Sequence, residues 1–80
     1  MLDGTFRIRN VLGFIGMYYD DIKEFIDELL KLRDGETLEK EYVTVDGNKV
    51  FLSARRDNCN ATIKIYFGGC EDEIVVNLYY

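Results

Sequence analysis

From Tyr18 to Arg33 the apolar residues Ile22, Phe25, Ile26, Leu29 and Leu30 recur at the three-and-four spacing of one helical face, and Asp20, Glu24, Asp27, Glu28 and Lys31 take the other. The spacing predicts a single amphipathic helix that needs an apolar surface to cover. Asp20 or Asp21 is the expected cap, with Asp21 and Glu24 at capping-box spacing and their carboxylates at the positive end of the dipole. Lys31 and Arg33 complement the far end, and Gly35 is the expected left-handed stop.

Upstream, Thr5 to Arg9 alternates Phe6 and Ile8 with Arg7 and Arg9, the pattern of a short half-buried strand. Val11, Phe14, Ile15 and Tyr18 keep helical spacing, so a helix capped by Asn10 and running to Arg33 competes with a flexed connection over residues 10 to 17. Gly13 and Gly16 favour the connection, since each costs about 1 kcal/mol relative to alanine inside a helix.

After residue 38 the period drops to two. Glu41 to Val45 and Lys49 to Arg55 flank Asp46-Gly47-Asn48, a strong hairpin signal because a primed turn needs residues that tolerate positive φ. An even-numbered loop would put Val43 and Val45 on the face of Val50, Leu52 and Ala54. Residues 61 to 67 place Ala61, Ile63, Ile65 and Phe67 on one side, and residues 73 to 80 add Ile74, Val76, Leu78 and Tyr80. Short loops make sequential strands antiparallel neighbours. The fold expected is α+β: a four-stranded antiparallel β-meander with one amphipathic helix packed on one face, and a further short strand from Phe6 to Ile8 at an edge.

Composition sharpens this picture in three ways. Eighty residues make one domain, 1–80, and 48% hydrophobic content is enough to drive collapse. No apolar run approaches the roughly 20 residues of a membrane span, and the first residues lack the order of a signal peptide, so a cytoplasmic protein without membrane attachment is expected. Cys59 and Cys70 flank the strand of residues 61 to 67, whose roughly 20 Å length exceeds the reach of a disulfide, so two free thiols in a reducing compartment are expected. Asn60-Ala-Thr62 matches a glycosylation sequon, which carries no weight in a chain expected to stay in the cytoplasm.

The net charge of −5 is localised. Residues 20 to 41 hold nine carboxylates against four bases, while the remainder holds six of each. That surface repels duplex DNA and attracts basic partners.

Candidate chemistry is sparse. Without histidine, and with Ser53 as the only serine, neither a Ser-His-Asp nor a Cys-His arrangement can be built, so no enzyme activity is expected. Asp20-Asp21 and Glu71-Asp72-Glu73 lack the spacing of a calcium loop, two cysteines cannot complete a zinc site, and Gly68-Gly69 lacks the lysine and helix start of a phosphate loop. No metal and no cofactor are expected.

Two surfaces remain. The outward face of the sheet is expected to carry Tyr42, Thr44, Lys49, Phe51, Ser53, Arg55, Thr62, Lys64, Tyr66, Val75, Asn77 and Tyr79, with Phe51, Tyr66, Val75 and Tyr79 forming an apolar patch. An N-terminal segment folded across that face with Phe6, Phe14 and Ile15 is the competing arrangement. The acidic stripe of Asp20, Glu24, Asp27 and Glu28, extended by Asp34, Glu36 and Glu39, suits a basic groove on a nucleic-acid-handling protein. The expected function is a non-enzymatic protein-binding module, in its most specific form an inhibitor from a phage or mobile element of the anti-CRISPR kind. Its partner-binding residues would be Asp20, Glu24, Asp27, Glu28, Phe51, Tyr66 and Tyr79. An assembly subunit forming a homodimer through the sheet face is the alternative. Single-stranded nucleic acid, stacked on the rings beside Lys49, Arg55 and Lys64, ranks last because the overall charge has the wrong sign.

Overall fold

The computed structural model describes residues 4–78 and contains six elements: α1 (Gly4–Phe14), α2 (Tyr19–Leu30), β1 (Thr37–Val43), β2 (Lys49–Asp57), β3 (Asn60–Phe67) and β4 (Cys70–Asn77). The strands form one antiparallel sheet of order β1-β2-β3-β4. The class is α+β, with two helices rather than one.

The additional helix replaces the expected N-terminal strand. The alternation of Phe6 and Ile8 with Arg7 and Arg9 lasts too short a stretch to prevail over the four-residue spacing of Gly4, Ile8 and Leu12, which are all buried. Phe6 therefore points outward at 44% exposure, and Phe14 is 92% exposed. Gly4 is required by close approach, because a Cβ there would collide with the Asn77 carbonyl oxygen. Arg7 Nη1 donates to the Val75 carbonyl at 3.3 Å, which covers part of the otherwise open β4 edge.

Both helices lie over the same face of the sheet. Ile8 and Leu12 of α1 and Ile22, Phe25, Ile26 and Leu29 of α2 join Val50, Leu52, Ala54, Ala61, Ile63, Ile65, Val76 and Leu78 in one core. The N-terminal segment thus roofs the sheet beside α2 instead of crossing its outer face. Leu30, expected in the core, is 42% exposed.

The ends of α2 differ from expectation. Tyr18, with extended φ and ψ of −65° and 144°, is the capping residue and makes no side-chain cap, so Asp20 and Asp21 act only as first-turn charges on the dipole. The helix closes at Lys31 by bonds to the Glu28 and Leu29 carbonyls. Gly35 has a φ of +83° but lies beyond that end, where its N–H donates to the Arg56 carbonyl at 2.7 Å and sets the entry to β1.

The β1–β2 register is the largest correction. Val43 faces Lys49 and Tyr42 faces Val50 across residues 44 to 48, an odd loop that reverses the parity of β1. Tyr42 and Thr44 turn inward and are buried, while Val43 and Val45 are 47% and 57% exposed. Thr44 explains the longer loop: its N–H donates to the Asn48 carbonyl, its Oγ1 accepts from the Asn48 N–H, and its carbonyl accepts from the Gly47 N–H. The loop is then fastened to the α1–α2 turn by a Met17–Thr44 bridge and by the Val45 N–H on the Gly16 carbonyl.

Candidate functional site

The acidic stripe of α2 is divided by its surroundings. Lys40 points toward α2 from β1, with its Nζ 2.9 Å from Glu28 Oε2 and 3.7 Å from Glu24 Oε1. The hydrogen bond and charge of Glu28 hold the Lys40 ammonium above its ordinary pKa, against a smaller opposing desolvation. The Tyr42 hydroxyl donates to Glu24 Oε1 at 3.0 Å, and burial followed by that bond pushes its pKa up. Glu24 and Glu28 therefore hold the helix to the sheet edge. Asp20 and Asp27 are exposed and make no ion pair among the described residues.

The outer face of the sheet is covered by neither helix. Its residues stand in cross-strand rows: Glu41, Phe51, Tyr66 and Glu71; then Glu39, Ser53, Lys64 and Glu73; then Thr37, Arg55, Thr62 and Val75. Phe51 and Tyr66 form a directly opposed pair, ring centroids 5.7 Å apart and planes tilted by 51°. Val43 is the apolar neighbour of Phe51 on this face, two positions beyond Glu41, a residue that the even-loop register had placed inside. Val75 stands two rows away from Tyr66, about 13 Å along the strands, so it is not part of the aromatic patch. Tyr79 lies outside the described residues.

Viewed across the strands, charge on this face is ordered. Carboxylates occupy the two edge strands at Glu39, Glu41, Glu71 and Glu73, and the bases Lys49, Arg55 and Lys64 occupy the two central ones. Between the second and third rows lies an open depression of about 450 Å³ lined by Thr37, Ser53, Arg55, Asp57, Thr62 and Lys64. The rings rise on one side of it. A second hollow flanks Tyr66 on the other side, beside the Gly68-Gly69 turn.

Cys59 and Cys70 are exposed free thiols at opposite ends of β3. Among the described residues no three His, Cys, Asp or Glu side chains gather to hold a metal ion, and no helix is long and apolar enough to cross a membrane. Compared with family models, curated proteins and solved structures, the chain matches none.

Proposed function

We propose that this protein is a non-enzymatic interaction module that acts by occupying a surface of another protein, and that it does so through the outer face of its sheet. The observation that carries this reading is the Phe51–Tyr66 pair, set beside exposed Val43 on the sheet face that neither helix covers, near its β1–β2 hairpin end and flanked by the edge-strand carboxylates Glu41 and Glu71. An apolar, aromatic patch flanked by charge is the composition of a protein contact.

The charge order favours a different protein over a second copy. Stacking two such faces with aligned strands sets β1 carboxylates against β4 or β1 carboxylates of the other copy, a like-charge arrangement that weakens self-association. The carboxylate rim suits a partner with bases at its margin. The narrower form, a phage or mobile-element inhibitor covering a basic nucleic-acid-binding surface, draws on the net charge of −5 and on the outer-face carboxylates Glu39, Glu41, Glu71 and Glu73.

The test is capture of host proteins by immobilised wild-type protein against Phe51→Ala and Tyr66→Ala, alongside light scattering at micromolar concentration. Retention of a protein by the wild type and its loss in both variants supports the reading. Retention unchanged in both variants, or a dimer that dissociates in Tyr66→Ala, removes it.

A further inference from the structure

The depression beside the aromatic pair has a chemistry of its own. Arg55 on β2 lies directly opposite Thr62 on β3 and, on its other side, Thr37 on β1, while Ser53 lies opposite Lys64. Two cations and three hydroxyls from three adjacent strands therefore converge on one hollow of about 450 Å³. Neither Arg55 nor Lys64 has an ion-pair partner among the described residues. Asp57 is the one lining carboxylate. Strands hold these groups in fixed register, so the donors are arranged before any ligand arrives.

We infer that this hollow receives the phosphate of a phosphorylated side chain on the protein partner, with Arg55 and Lys64 neutralising its charge and Ser53, Thr62 and Thr37 donating hydroxyl hydrogen bonds. A phosphomonoester carries close to two negative charges and three terminal oxygens, matching a set of two cations and several hydroxyl donors better than a carboxylate does. The hollow is open, so it cannot bury most of a small free ligand as a cofactor pocket does, and tight binding must draw on the residues flanking the phosphate. A nucleic-acid strand fits less well, because Glu39 and Glu41 on one side and Glu71 and Glu73 on the other repel flanking phosphates. Those same carboxylates favour lysine or arginine beside the phosphorylated residue. The inference rests on the proposed outer-face contact and names the chemistry at its centre.

Backbone amide NMR titration tests it without knowledge of the partner. The probes are a short alanine-based peptide carrying one phosphoserine flanked by lysines, its unphosphorylated form, inorganic phosphate, and a short oligothymidylate. The phosphopeptide should shift the amides of Ser53, Arg55, Thr62 and Lys64 and bind at least about tenfold more tightly than the unphosphorylated form or inorganic phosphate. Combined Arg55→Ser and Lys64→Ser, both exposed positions, should weaken that binding about tenfold while the spectrum elsewhere stays folded. Phosphopeptide binding that survives in Phe51→Ala, where partner capture is lost, supports the phosphate site separately from the ring contact. Absence of shifts at these amides overturns the inference and leaves the outer-face reading standing. Inorganic phosphate binding as tightly as the phosphopeptide, or oligothymidylate binding more tightly, overturns it in favour of a small anion or of nucleic acid.

Discussion

Glu24 on α2 accepts a hydrogen bond from the Tyr42 hydroxyl on β1 at 3.0 Å. The contact exists because the odd β1–β2 loop turns Tyr42 inward, and it makes the helix carboxylate part of the fold. The bond has a pH signature. An unfolded chain loses the Tyr42 proton near the ordinary value of 10.0, whereas the folded chain keeps it to higher pH because burial and Glu24 disfavour the phenolate. Between those values unfolding releases a proton, so stability is complete below the ordinary value and falls as pH rises through the window above it. Lys40, raised by Glu28, acts in the same direction. The melting temperature should fall from about pH 9 to about pH 11, and Tyr42→Phe should flatten that slope while costing about 1 kcal/mol at neutral pH. A slope unchanged in Tyr42→Phe would assign the alkaline loss to other groups.

The two helices predict unequal consequences of truncation within α1. Ile8 is fully buried, so Ile8→Ala should cost about 2–4 kcal/mol in urea unfolding, a large share of the roughly 4–12 kcal/mol expected for 80 residues. Phe14, 92% exposed, should tolerate alanine within about 0.5 kcal/mol. Equal costs at both positions would mean that α1 does not present its Ile8–Leu12 stripe to the core.

Much of this fold was legible because period and burial agreed. The α2 face of Ile22, Phe25, Ile26 and Leu29 and the alternation in β2 and β3 are where the pattern put them. Two features were not legible, each for a local reason. In α1 a brief alternation of arginine with apolar residues imitated a strand, and only the spacing of Gly4, Ile8 and Leu12 discloses the helix. In the β1–β2 loop, Asp46-Gly47-Asn48 suggested a tight turn, but Thr44 closes a longer one with its own side chain and reverses every residue of β1. The site inherited that error. Val43 joined the outer face and Tyr42 left it, and Lys40 came to stand on the inner side beside Glu24 and Glu28. The wide separation of Val75 from Tyr66 also depended on a register no local pattern states.

The glycines of the α1 end should respond in opposite senses. Gly13 sits inside the helix with nothing within 4 Å of an added Cβ, so Gly13→Ala should stabilise by about 0.5–1 kcal/mol. Gly16 has a φ of +93° and its carbonyl accepts the Val45 N–H, so Gly16→Ala should cost at least about 1 kcal/mol and loosen the hairpin tip. Thermal melts of the two variants check the pair; a stabilising Gly16→Ala would contradict the turn geometry.

Charge reversal on α2 separates folding from partner binding, provided the carboxylates are chosen by their contacts. Glu24→Lys and Glu28→Lys set a second ammonium beside Lys40, and Glu24→Lys also removes the Tyr42 acceptor. Both should lower the melting temperature, so any lost capture of a basic partner would be confounded with unfolding. Asp20→Lys and Asp27→Lys change exposed residues with no ion pair among the described ones, and each should leave the melting temperature within about 2–3 °C, with Asp20→Lys the lower because it places a cation in the first turn of α2. If the acidic side of α2 meets a basic surface, the double reversal of Asp20 and Asp27 should weaken capture about tenfold or more, and the weakening should shrink at high salt. Capture unchanged by that double reversal, yet lost in Tyr66→Ala, would assign recognition to the outer sheet face and leave the helix carboxylates with a structural part alone.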